Sequence, residues 1–197
     1  MPKSNSNARI DAQLAFLTEA DKLKTVLRAS PICDGSRREN SGEHSWHLAL
    51  YAMILSEHAI KPVNVDRVIK MLLIHDLVEI DAGDYPLHGG NVPAEQIEAE
   101  EEAAERLYGL LPADQMQEYK ALWQEFEAAE TDDAIFAKSI DRVQPVIANL
   151  ETDGGTWGDY DVTADKLDTR VGTKVRKGAP AVWAAISGRI EAWFNTQ

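Results

Sequence analysis

Four short segments of the chain concentrate side chains able to hold a cation and move protons. They are Glu39-Asn40-Ser41-Gly42-Glu43-His44-Ser45, Ile74-His75-Asp76-Leu77-Val78-Glu79, Gly83-Asp84 and Lys138-Ser139-Ile140-Asp141. His75 and Asp76 close an otherwise apolar run (Val68, Ile69, Met71, Leu72, Leu73). Two desolvated polar groups at that position are costly without strong partners, and a divalent cation serves an imidazole and a carboxylate together. Adjacent helical residues diverge by about 100°, so the pair shares one ion only if it lies close against their edge of the helix. A capped helix end with His75 on a carbonyl accounts equally well for the dipeptide taken alone. Glu79 follows His75 by four residues and Asp76 by three, hence on the same helical face. A carboxylate there is placed as a general acid or base beside an ion-activated water. His44 and His47 stand one turn apart near a helix start, and either could be a ligand. Asp141, between Ile140 and Val143 with Arg142 adjacent, reads in isolation as a surface aspartate.

One of these two histidines with His75, Asp76 and Asp141 makes a nitrogen and oxygen set without thiolate. Such a set suits Mn²⁺, Fe²⁺, Co²⁺, Ni²⁺ or Mg²⁺ in six-coordinate geometry better than a closed structural zinc site. Four protein ligands leave two positions for water and a substrate oxygen, the arrangement of a hydrolytic centre.

The elements that must carry these residues are helical from end to end. Residues 11–29 place Leu14, Leu17, Val26 and Leu27 near helical spacing, and residues 31–40, with Pro31 and Asp34-Gly35, read as a loop. Ser41 is expected to cap a helix to about His58, with Glu43 in its first turn. Asn64 is expected to cap a second from Val65 to about Ile80, apolar on more than one face and therefore central. Residues 83–91 form a loop. Pro93 and Pro112 suit the first turns of the next two helices, the first running to about Leu110. Thr131 caps a helix to about Leu150, residues 153–161 form a glycine-rich loop or lid, Thr163 opens a further helix, and a last one follows Pro180. No alternating strand pattern, repeat or domain boundary interrupts this series. The expectation is an all-α single bundle over residues 1–197, its core at about 11–150 and helices 163–196 packed upon it.

Bulk properties narrow the function. At 197 residues the chain can bury one real core, and its formal net charge of -13 argues against nucleic acid and against an anionic membrane surface. The single cysteine, Cys33, excludes an intramolecular disulfide and any multi-cysteine metal site. The polar opening lacks the apolar core of a signal peptide, and the apolar run ending at Ile74 is too short to span a bilayer. A cytoplasmic protein is the expectation.

The order His44, His75-Asp76, Asp141 resembles the HD superfamily of metal-dependent phosphohydrolases. The blocks Arg38-Glu39-Asn40-Ser41-Gly42-Glu43-His44-Ser45, His75-Asp76-Leu77-Val78-Glu79-Ile80-Asp81-Ala82-Gly83-Asp84 and Lys138-Ser139-Ile140-Asp141-Arg142 resemble its 5′-deoxynucleotidase branch, over roughly residues 16–149. The resemblance implies a helical HD fold, usually homodimeric, that removes phosphate from deoxynucleoside 5′-monophosphates. It implies His44, His75, Asp76 and Asp141 as metal ligands, Glu79 and Asp84 as catalytic carboxylates, and Arg28 as a phosphate partner. One departure stands out: relatives carry a tryptophan near that arginine, whereas here none follows Arg28 until Trp46. Arg37, Arg38 and Lys138 are further basic candidates for the phosphate.

Three alternatives belong beside this reading. One keeps the metal but takes another phosphomonoester or a phosphodiester. A second is a non-catalytic metal- or nucleotide-binding module, against which Glu79 and Asp84 argue. The third, an oxygen-activating iron enzyme, needs more histidines than His47, His58 and His88 supply at the right spacing.

Overall fold

The computed structural model describes residues 3–86 and 92–196. Helix α1 (Lys3–Ala20) leads through a 3-10 turn (Asp21–Thr25) into an antiparallel hairpin of β1 (Leu27–Pro31) and β2 (Arg38–Asn40). Sequence periodicity had extended α1 through Ala29 and left no strand. The chain instead becomes extended at Val26, and Leu27 pairs with Asn40 while Pro31 pairs with Arg38. The hairpin is a local departure within an all-α fold. Its loop turns at Asp34-Gly35-Ser36, with Asp34 accepting from the Ser36 amide and Gly35 at φ +70°, a conformation open to glycine.

Helix α2 (Ser41–Leu55) begins one residue earlier in its capping than expected. Asn40, not Ser41, is the cap: its side chain accepts from the Glu43 amide, and the Glu43 carboxylate accepts from the Asn40 amide. This reciprocal box satisfies two otherwise orphaned donors and leaves the Ser41 hydroxyl free for other work. Asn64 caps α3 (Val65–Ile74) as anticipated, accepting from the Arg67 amide. The helix expected to continue to Ile80 tightens at His75–Val78 into a 3-10 turn before the short α4 (Glu79–Ala82), and Gly83 leaves it at φ +76°.

An antiparallel pair, α5 (Ala94–Tyr108) and α6 (Ala113–Ala128), precedes the long α7 (Asp132–Glu151), which Thr131 caps through the Ala134 amide. Residues 152–161 form successive turns, and α8 (Ala164–Leu167), a π-turn (Asp168–Gly172), α9 (Thr173–Gly178) and α10 (Pro180–Phe194) complete the chain. No helix among the described residues is long and apolar enough to cross a membrane.

Two apolar clusters meet at the His75–Val78 turn. The larger surrounds α7 and gathers Leu48, Met71, Leu72, Phe126, Phe136, Ile140, Val143 and Trp157 with the last helices. The smaller joins Leu77 and Val78 to Leu23, Leu107, Tyr108 and Trp123, and Ile74 packs against both. The two polar residues of the turn are thus wedged where two cores abut, each core anchoring one side of it. Helix α7 packs closely on α9: a Cβ at Gly178 would lie 2.5 Å from Ser139 Oγ and 2.7 Å from the Ile135 carbonyl.

Candidate metal centre

Each element delivers one part of a buried cluster. From α2 comes His44, fully buried, with its Nε2 3.1 Å from Asp141 Oδ1 of α7. The 3-10 turn supplies His75, 4% exposed, whose Nε2 lies 2.9 Å from Asp76 Oδ1 and 3.8 Å from Asp141 Oδ1. His44, His75 and Asp141 present one ligand atom each, all within 4.8 Å of one another. Asp76 flanks this trio, its Oδ2 held at 2.9 Å by Arg28. The helix-end alternative also holds in part, because His75 Nδ1 lies 2.9 Å from the Leu72 carbonyl.

That carbonyl decides the chemistry of the ring. A carbonyl only accepts, so Nδ1 carries the hydrogen and Nε2 is left as a lone pair in the neutral imidazole. Nε2 is buried and makes no well-directed hydrogen bond, yet it faces carboxylate oxygens that also only accept. Acceptors converging this closely in a dry site call for positive charge between them, either a proton on Nε2 or a metal ion that replaces it. Burial works to lower the pKa of His75, but the charges of Asp76 and Asp141 overcome it and push it up to about 10. Burial likewise opposes ionisation of Asp141, yet His44 and His75 hold it well below the usual carboxylate range. Asp76, despite burial, is drawn down to about 2 by His75 and Arg28. The residues present fit a divalent metal ion, with nitrogen and oxygen donors and no thiolate.

Around this centre lies a second layer of carboxylates. Glu79 accepts from Ser41 Oγ at 2.6 Å through Oε2, and its Oε1 is 3.7 Å from Arg28 Nη1. Burial and the neighbouring Asp76 charge raise its pKa well above the usual carboxylate range. Asp84 is 3.4 Å from the same Arg28 nitrogen, and burial raises its pKa against the pull of that guanidinium. Arg28, on β1 and largely buried, is therefore the common counter-ion of Asp76, Glu79 and Asp84, which raise its pKa against the effect of burial. A narrow slot opens beside it, lined by Arg28, Asp84, Pro145, Asn149, Thr156 and Tyr160 among others.

Position separates the other candidates from the centre. Arg37 forms a two-pronged pair with Glu43 at 2.7 Å on the surface, Arg38 is exposed, and Lys138 pairs with Glu127 at 2.9 Å. His47 stands outside the trio, with its ring edge-on to Tyr51, and His58 is exposed. His88 lies outside the described residues. Sequence reasoning missed three participants: Ser41, taken as a cap; Glu39; and Gln144. A glutamate just before a helix cap, and a glutamine one turn after Asp141 among apolar residues, were the available signals. The turns at 153–161 are pinned to α7 by Asn149, whose Oδ1 accepts from the Thr156 amide at 2.7 Å and whose Nδ2 donates to the Pro145 carbonyl at 2.7 Å.

Fold and cluster together define a helical domain built around a His, His-Asp, Asp cluster able to hold a cation. The chain belongs to the HD domain family, which matches residues 20–183. It is 31% identical over 163 residues to human 5′-deoxynucleotidase HDDC2, covering 79% of this chain and 78% of that protein. It is 28% identical over 153 residues to 5′-deoxynucleotidase hdd1 of Schizosaccharomyces pombe, covering 75% and 76%. The crystal structure of a predicted metal-dependent phosphohydrolase from Magnetospirillum magnetotacticum MS-1 matches with a TM-score of 0.88 at 47% identity, over 95% of this chain and 96% of that one.

Proposed function

We propose that this protein is a metal-dependent phosphohydrolase that releases phosphate from deoxynucleoside 5′-monophosphates. Its cation, one of Mn²⁺, Co²⁺, Fe²⁺, Ni²⁺ or Mg²⁺, is held by His44, His75, Asp76 and Asp141. The observation that carries this is the convergence of two imidazole nitrogens and a carboxylate within 4.8 Å of one another, beside a slot lined by Arg28 and Asp84. The names of the two nucleotidase relatives support the substrate class.

A divalent ion here would polarise the phosphoryl oxygens and make water a better nucleophile. The chain's own groups do the rest. Glu79 is oriented by the Ser41 hydroxyl and lies in an environment that favours its protonated form, so it can deliver a proton to the departing 5′-oxygen. Asp84, nearer the slot, accepts the proton of the attacking water. Arg28 spreads one positive charge over Asp76, Glu79 and Asp84 and can turn toward phosphate when the substrate's own charge arrives. Pro145, Val146 and Thr156 form part of the wall of the slot that Arg28 and Asp84 share.

A homodimer belongs to the same reading. Trp46, Leu50, Met53 and Ile54 make an exposed apolar strip along α2, of the kind a second copy buries. Phosphate release from a panel of deoxy- and ribonucleoside monophosphates, measured on metal-stripped protein with single metals restored, tests the proposal. Metal-dependent release with a deoxy preference supports it. Release only from other esters moves the substrate, and binding without turnover under every metal overturns the hydrolase assignment.

A further inference from the structure

The two histidines of the centre are held in different ways. His75 Nδ1 rests on a backbone carbonyl that no substitution removes. His44 Nδ1 instead faces a side chain, Gln144 Oε1, at 3.0 Å. Gln144 is 1% exposed and one turn beyond Asp141 on α7. Its Nε2 is 2.9 Å from Glu39 Oε1 and 3.4 Å from His47 Nδ1. Glu39, 2% exposed, approaches His44 Nδ1 at 3.3 Å with its other oxygen.

We infer that Glu39 and Gln144 are positioning residues that set the tautomer of His44 and so make its Nε2 a metal ligand. The logic is one of polarity. A carboxylate accepts only, so it selects the amide rotamer of Gln144 that turns NH₂ toward Glu39. The Gln144 oxygen then necessarily faces His44, and an oxygen there requires the hydrogen on Nδ1. In the neutral ring Nε2 is then the nitrogen with the lone pair, and it faces Asp141 Oδ1 at 3.1 Å. Each group dictates the next, and the chain of dictation starts at the Glu39 carboxylate. Outer partners of this kind orient ligand imidazoles and tune metal affinity. Glu39 and Gln144 also line a surface cavity of about 290 Å³ with Ile32, Cys33, Trp46 and His47, which shares no lining residue with the slot at Arg28 and Asp84. Neither residue need touch substrate.

This inference rests on the metal site of the proposed function, and its test reads the metal alone. Mn²⁺ and Co²⁺ affinities would be measured by chelator competition on the full chain, together with the visible spectrum of the Co²⁺ form. Gln144→Met keeps the volume and removes the nearer of two acceptors at Nδ1, leaving the Glu39 oxygen at 3.3 Å without the amide that orients it, and should bind about ten- to a hundred-fold more weakly. Gln144→Glu sets two carboxylates against each other and should also bind weakly. The exchanged pair, Glu39→Gln with Gln144→Glu, restores the alternation of donor and acceptor, and should recover affinity and spectrum to within a few-fold of the parent. Thermal melts of the metal-free variants check that each is folded. Parent-like affinity in Gln144→Met, or an exchanged pair no better than Gln144→Glu alone, overturns the relay. A parent protein that binds metal but releases no phosphate overturns the hydrolase reading and leaves the relay standing.

Discussion

Replacing Arg28 by methionine removes the one cation shared by Asp76, Glu79 and Asp84, which lie 2.9, 3.7 and 3.4 Å from its Nη1. The arginine side chain is 13% exposed and the three carboxylates 11%, 11% and 7%, so solvent screens them weakly. Breaking a buried pair by deleting one partner costs about 3–5 kcal/mol, because the other charge remains without compensation. The lower end is expected here, since burial already raises the pKa of Glu79 and Asp84 and either can shed charge by taking a proton. Against a total stability of about 5–15 kcal/mol, a loss of about 3 kcal/mol is large. With a urea slope of about 2–3 kcal/mol/M, the midpoint of the metal-free protein should fall by about 1–1.5 M. A bound divalent cation supplies charge to the same carboxylates, so the gap between parent and variant should narrow when metal is restored. Arg28→Lys keeps the charge without the planar fork and should recover part of the loss. Urea titrations followed by circular dichroism, with and without chelator, measure all of this. A midpoint change below about 0.3 M, or a gap indifferent to metal, would refute the shared counter-ion argument.

Glu79→Gln should lower turnover by about 10²–10⁴-fold, the usual worth of a proton-transfer group, while metal content stays at the parent level. Metal lost along with activity would instead make Glu79 part of the cation's own shell. Asn149→Ala removes the acceptor for the Thr156 amide and the donor to the Pro145 carbonyl, which should cost about 1–3 kcal/mol and raise KM more than it lowers kcat. An unchanged KM would detach the 152–161 turns from the substrate slot. Gly178→Ala drives a methyl against Ser139 Oγ and the Ile135 carbonyl where α9 crosses α7, and should destabilise by about 1–3 kcal/mol in thermal melts. A melt indistinguishable from the parent would mean that this crossing relaxes freely.

Most helix positions, two of the caps and the helical fold class were legible in the linear chain because they depend on residues three and four apart. Asn64 and Thr131 cap where expected, and the prolines at 93 and 112 precede α5 and α6 directly. The candidate centre was legible too, but through motif resemblance: nothing local distinguishes Asp141 from a surface aspartate. It is half-buried because α7 packs against both α2 and α3, a fact of packing. Periodicity failed at residues 27–31, where Leu27 kept helical spacing while pairing across a hairpin decided the backbone. It failed again at His75–Val78, where two cores pull on opposite sides of one turn.

What the sequence determined by itself was therefore the menu: which residue types could ligate, which could move protons, and which stretches were helical. The tertiary structure decided polarity and partnership. It showed Arg28 to be the counter-ion of three carboxylates, Ser41 to be the orienting donor of Glu79, and Glu39 and Gln144 to stand behind His44. Apart from Glu39 and His44, these pairs join residues 38 to 105 positions apart. Hydrogen-bond direction and desolvation act over a few ångströms, and only the folded chain brings such residues that close.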